Sequence, residues 1–128
     1  MAEFPAAIAG FLAAISDRDV DTAGTFLTDD ITYHFLVPHP PVSGRAAVLD
    51  ALRSAIGQAG RVRWEVMSWL ASAELAFVER IDRFWFDDRE ASIECTGVFV
   101  LRAGKIAEIR DYADLATWRS RKDAALNG

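Results

Sequence analysis

The stretch FVERIDRFWF, residues 77–86, decides how the chain is read. It is rich in β-branched and aromatic residues, as strands are, yet an arginine and an aspartate sit two positions apart within it. Residues i and i+2 of a strand point to the same face. Arg80 and Asp82 therefore share a side with Val78 and Phe84, while Phe77, Ile81 and Trp85 take the other. A sheet that sets an ion pair among large apolar neighbours holds either a satisfied structural salt bridge or a piece of chemistry.

The period of two extends from Arg61 onward. VRWEVMSWL (62–70), ELAFVERIDRFWF (74–86), ASIECTGVFVL (91–101) and KIAEIRDYAD (105–114) read as four strands, with DDRE (87–90) and RAGK (102–105) as hairpin turns. In the last strand Ile106, Glu108, Arg110, Tyr112 and Asp114 share one face, and Ala107, Ile109, Asp111 and Ala113 the other. Asp111 is thus the one charged side chain on an otherwise apolar face beyond Lys105. A carboxylate there is costly unless partnered, and a meander order would bring Arg80 to it.

Ahead of the strands the spacing turns helical. Phe4, Ile8, Phe11, Leu12 and Ile15 fit an amphipathic helix from about Pro5 to Ser16. Glu3 stands where a signal peptide would be basic, so this segment reads as the first helix of the mature protein. DRDVDTAGTFL (17–27) reads as a short helix capped by Asp19, with Val20, Ala23 and Leu27 inward. DITYHFLV (30–37) reads as a strand stopped by Pro38, Pro40 and Pro41. A third helix after Gly44 carries Val48, Leu49, Leu52 and Ile56 and ends at Gly57 and Gly60. LATWRSRKDAA (115–125) reads as a terminal helix or a frayed tail. Helices first and an antiparallel sheet after them predict one α+β domain over residues 1–128, with the helices on one face of a curved sheet.

Composition excludes several classes of function. With 128 residues the chain has room for one core. A net charge of −5 leaves no basic stripe to neutralise phosphates, so no nucleic-acid partner is expected. Asp29–Asp30 and Asp87–Asp88 read as solvated turns. No apolar run approaches the ~18 residues a membrane span needs. The single cysteine, Cys95, has no partner for an internal disulfide, which predicts a cytoplasmic protein. It lies mid-strand with no histidine near it in sequence and reads as a buried, inert thiol. His34 and His39 flank a Pro-rich turn with no carboxylate in register, a poor ligand set, so no metal or other cofactor is expected.

If Asp82, Arg80 and Asp111 meet, one of two readings holds. The bland one is a buried salt bridge that orders the sheet. The chemical one starts from two carboxylates around one cation, of which one tends to keep a proton in a dry site. That leaves one acid and one base with no net charge, suited to attack by water on an uncharged substrate.

FVERID (77–82) followed by GVFVLRAGKIAEIRDYAD (97–114) resembles the limonene-1,2-epoxide hydrolase family, within the nuclear-transport-factor-like superfamily. That family shows an E-R-x-D strand, then G-V-F, a G-K-I hairpin and R-D-Y-x-D. The likeness is strongest over residues 74–115 and continues more loosely through DITYHF, PP and SGRAAV. It implies a cone-shaped, curved, mixed β-sheet with the N-terminal helices packed on its concave face. It also implies a cofactor-independent enzyme, a homodimer paired through its sheet, that adds water to a small apolar epoxide. By the same likeness Asp111 is the general base, Asp82 the general acid, Arg80 the bridge orienting both, and Tyr33 a holder of the attacking water. The pocket is expected to reach from the helices to Asp111 and to be lined by Val78, Phe84, Ile93 and Ile109.

One position departs from the pattern. The family's water site also uses an asparagine two residues after the tyrosine, and Phe35 stands there, or Leu36 when counted back from Pro40–Pro41. Neither has an amide, so the water is held differently or hydrolysis is weakened or lost. A bulge before Pro38 would turn His34 inward beside Tyr33, where a neutral imidazole could replace the amide. Without it, His34 points to solvent on the convex side. Two rival functions share the fold. One is an isomerase or polyketide-cyclase-like enzyme using one aspartate as base, and the other is a non-catalytic module that binds an apolar ligand.

Overall fold

The computed structural model describes residues 3–128. The elements run α1 (Ala6–Ser16), α2 (Val20–Gly24), β1 (Leu27–His34), β2 (Val42–Ser43) and α3 (Arg45–Ile56), then β3 (Arg61–Ala71), β4 (Leu75–Phe86), β5 (Arg89–Arg102), β6 (Lys105–Tyr112) and α4 (Leu115–Asn127). They build one six-stranded sheet in the order β2-β1-β6-β5-β4-β3. The strands β3 to β6 form the expected antiparallel meander, and β1 lies parallel to β6 on its far side, so the sheet is mixed. Breaks in register in β3 between Val66 and Ser68, and in β5–β6 between Val100 and Leu101, bend the strands. The result is a curved, unclosed sheet, the expected α+β architecture.

Alternation along β4 is strict: Ala76, Val78, Arg80, Asp82, Phe84 and Phe86 are buried, and the residues between them are exposed or half-buried. The buried row faces the helices. From α1 come Ile8, Phe11, Leu12 and Ile15, and from α3 Val48, Leu52 and Ile56, all in one cluster with Val78, Phe99 and Ile109. Each such side chain contributes roughly 1.5–3 kcal/mol by leaving water. Among the described residues no helix is long and apolar enough to cross a membrane.

Several local expectations change. Strand β1 starts at Leu27, whose spacing from Val20 and Ala23 also suited a helix; α2 stops at Gly24, and Leu27 pairs with Ile106 instead. Asp29 and Asp30 are exposed strand residues of β1 and not a turn. The strand ends at His34, three residues short of the expected Val37. Two-residue β2 is too short to leave a sequence signal and is held by its pairing with Thr32 and Tyr33. In β6, Ile106 is fully buried although strict alternation puts it on the outer face. Leu101 pairs with Ile106 and Val100 with Glu108, so Ala107 is an extra residue, and Ile106 and Ile109 both point to the core. The terminal segment is a docked helix: Arg121 donates to Ser92 O at 2.9 Å and to Glu94 at 2.7 Å.

The bulge predicts a cost that alternation would not. Ile106→Ala should destabilise the fold by about 2–5 kcal/mol, the range for a buried isoleucine, read as a lowered urea midpoint at unchanged slope; an unshifted midpoint would mean that Ile106 faces solvent.

Candidate functional site

Arg80 is fully buried and organises the inner face of the sheet. Its Nε and Nη2 donate to the two carboxylate oxygens of Asp82, both at 2.9 Å. The other side of the guanidinium reaches Asp111, with Nη1 to Oδ1 at 3.2 Å and Nη2 to Oδ2 at 3.3 Å. Nη2 also lies 3.3 Å from the Cys95 sulfur. Tyr33 completes the group by donating from Oη to Asp111 Oδ2 at 2.6 Å.

The meander brings these groups together, but β5 runs between β4 and β6, and only a missing side chain lets Arg80 across it. Gly97 of β5 pairs with Val78 on one side and Asp111 on the other. A Cβ there would sit 2.5 Å from Arg80 Nη1 and 2.8 Å from Asp111 Oδ1. Trp64 closes the other flank: it pairs with Asp82 in register, and its ring centroid lies 5.2 Å from the guanidinium carbon, within cation–π range. Among the described residues its buried indole N–H has no hydrogen-bond partner.

Burial pushes the Asp82 carboxyl up, and Asp111 adds to the rise while Arg80 opposes it. Burial also opposes the charge on Arg80, but Asp111 and Asp82 together hold its pKa well above the ordinary arginine value. Burial and the Asp111 charge raise the Tyr33 phenol well above its usual range, so it remains a donor. The Cys95 thiol is likewise pushed far up by burial first, then by Asp111, and stays protonated and inert.

A cavity of about 280 Å³ opens above this group. Asp82 and Asp111 form its polar floor with Tyr33, while Arg80 lies behind them and lines none of it. Phe84, Ile93, Phe35 and Leu36 line it. Val78 and Ile109 do not: both are fully buried in the core, on the far side of Arg80 and Asp111 along their strands. His34 is not in the cavity either. It follows Tyr33 without a bulge, so its side chain takes the opposite face, where Nε2 lies 3.5 Å from Glu108. Phe35 lies parallel to Tyr33 with centroids 3.9 Å apart and 6° between the rings, so a phenyl ring fills the place where an amide was sought.

Sequence reasoning missed two walls. Trp64 was a strand residue without a role, and α4 contributes Leu115, Trp118 and Lys122 to the cavity. The spacing of Leu115 and Trp118, three apart in a terminal helix, was the available signal. Gly97 sits within the G-V-F motif, and no local feature of the sequence marks its place between Arg80 and Asp111.

Known proteins match this chain. The SnoaL-like domain model matches residues 8–109. A protein of Catenulispora acidiphila with a ketosteroid isomerase-like fold, solved with trimethylamine, superposes with a TM-score of 0.81 at 14% identity, over 93% of each chain. An LEH-like epoxide hydrolase of M. tuberculosis gives a TM-score of 0.76 at 27% identity over 95% of this chain and 90% of that one. A putative polyketide cyclase of Xanthomonas campestris gives 0.77 at 18% over 90% and 93%.

Gly97→Ala tests the crossing. The added methyl should push the guanidinium off Asp111, leaving a buried carboxylate short of its partner at a cost of roughly 3 kcal/mol or more. A denaturation midpoint equal to wild type would mean the guanidinium has room to move aside.

Proposed function

The chain belongs to the SnoaL-like domain family, and within it we propose an epoxide hydrolase that adds water to a small apolar epoxide in one step, giving a vicinal diol. The observation that carries this reading is a buried arginine clamped between two aspartates that form the floor of a cavity walled mainly by apolar and aromatic side chains. The likeness to an LEH-like epoxide hydrolase supports it.

The proton inventory follows from the hydrogen bonds. Asp111 Oδ1 has Arg80 as its one partner, which leaves a lone pair for a proton of the attacking water. Tyr33 holds Oδ2 and offers its own oxygen lone pairs to the same water. Asp82, whose pKa burial raises, faces the cavity as the acid. Water oxygen bonds to an oxirane carbon as the carbon–oxygen bond breaks. The electron pair stays on the ring oxygen, which takes the Asp82 proton while Asp111 takes one from water. Exchange with solvent then restores the starting protonation. Acid and base each supply typically ~10²–10⁴-fold, and the cavity floor keeps no net charge throughout.

The second reading is an isomerase or cyclase with one aspartate as base. The putative polyketide cyclases of the same fold favour it, as does the lack of an amide at Phe35 and Leu36. The ion-paired floor argues against it, because an enolate-stabilising site needs neutral donors free to follow the developing charge. We propose, too, that two copies pair through the outer face of the sheet, where Leu70, Phe77 and Tyr112 are 78%, 49% and 45% exposed.

Asp111→Asn and Asp82→Asn should each abolish diol formation from limonene oxide or cyclohexene oxide with little loss of fold, whereas Arg80→Ala should unfold readily because it strands two buried carboxylates. More than about a tenth of wild-type activity in Asp111→Asn would remove the base from this scheme. Because Asp82 acts as its acid form and burial raises its pKa, kcat should fall as pH rises through that raised value; a rate that climbs steadily into alkali would contradict the role.

Sedimentation equilibrium at micromolar concentration should give the mass of two chains, and Phe77→Glu that of one. A wild-type mass of one chain would refute the pairing.

A further inference from the structure

Three aromatic rings line the cavity edge to edge. Trp64 and Phe84 meet at 6.3 Å with 71° between the rings, and Phe84 and Trp118 at 4.9 Å with 47°. Phe35 closes the side next to Tyr33. Trp64 and Phe84 come from strands, so the sheet sets their orientation, and Trp118 comes from α4, whose docking brings it over the site. A cavity of about 280 Å³ sits at the low end of ligand pockets and has room for little more than one ring and an oxirane.

We infer that this site selects a ligand whose ring is aromatic over one whose ring is saturated, with Trp118 as the residue that confers the choice. The inference rests on the hydrolase reading and names its substrate class, an aryl-substituted oxirane. Burial of apolar area alone would not favour the aromatic ring, since a saturated ring of the same carbon count exposes at least as much apolar surface. Tilted and edge-on ring contacts add a term that a saturated ring does not receive. The wall stands directly beside the acid, because Trp64 is the cross-strand partner of Asp82 and Phe84 follows it on the same face. A ring held there keeps the adjoining oxirane oxygen at Asp82. As the carbon–oxygen bond stretches, positive charge grows on the carbon bearing the ring, where conjugation and the facing π-systems both stabilise it.

A matched pair separates ring type from shape: 1-phenyl-1,2-ethanediol and 1-cyclohexyl-1,2-ethanediol, the diols of styrene oxide and cyclohexyloxirane. Titration calorimetry on the wild-type protein should show the phenyl diol bound about 3–10-fold more tightly, the span of one or two ring contacts. Trp118→Leu should erase that preference, and Trp118→Phe should retain most of it. Equal or tighter binding of the cyclohexyl diol, a preference that survives Trp118→Leu, or no binding of either diol at millimolar concentration would each overturn the inference. Turnover of the two oxides separates it from its premise. A phenyl preference in binding with neither oxide hydrolysed would sustain the aromatic selection and sink the hydrolase. Hydrolysis of both oxides with no ring preference would do the reverse.

Discussion

A guanidinium with no solvent contact is the constraint on which this structure depends. Arg80 keeps its charge where water cannot reach it, so every N–H must find an acceptor in the protein. Asp82 takes Nε and one edge of Nη2, Asp111 takes Nη1 and shares Nη2, and Trp64 covers a face. Each partner comes from a different place in the sheet, so the group can close only when β3, β4, β5 and β6 pair in this register. A slip of one residue would turn Arg80 outward and leave Asp111 alone among apolar side chains. The ion group and the fold therefore specify each other, which is a firmer statement than that the salt bridge stabilises, since desolvation offsets much of its attraction.

Much of this was legible because a strand has a period of two. The inward row of β4 and the isolation of Asp111 follow from alternation, and the match to the burial of both strands is close. What alternation could not show was where it breaks. Ala107 is an extra residue that no local composition marks, so Ile106 was assigned to the wrong face. For His34 alternation left two placements open, inward with a bulge and outward without one, and β1 runs from Tyr33 to His34 with no bulge, so the outward placement holds. Val78 and Ile109 shared the right face but lay too far along their strands, since facing inward says nothing of depth. The roles of Gly97, Trp64 and Trp118 arise from contacts between distant segments, and a sequence read segment by segment carries no such signal.

Two carboxylates of the same kind sit in different surroundings. Asp82 faces the apolar wall of Trp64 and Phe84, and the lack of water there is what favours its proton. Asp111 receives, beyond its share of Arg80, a short hydrogen bond from a phenol that burial keeps protonated. Arg80 touches both, so neither carboxylate can move without disturbing the hydrogen bonds of the other.

Phe35 bears on both halves of the cavity. An amide beside Tyr33 would add a donor and an acceptor for water; the phenyl ring offers neither and instead stacks on Tyr33, restricting the phenol to the line of its bond with Asp111. In the proposed hydrolysis the water would be left with Asp111 Oδ1 and the phenol oxygen, enough to orient a lone pair toward a carbon held opposite. Phe35 also extends the apolar wall by one more ring. Under that proposal the polar contacts missing on the water side are matched by aromatic surface on the ligand side, and positioning passes from the nucleophile to the ring that carries the electrophile.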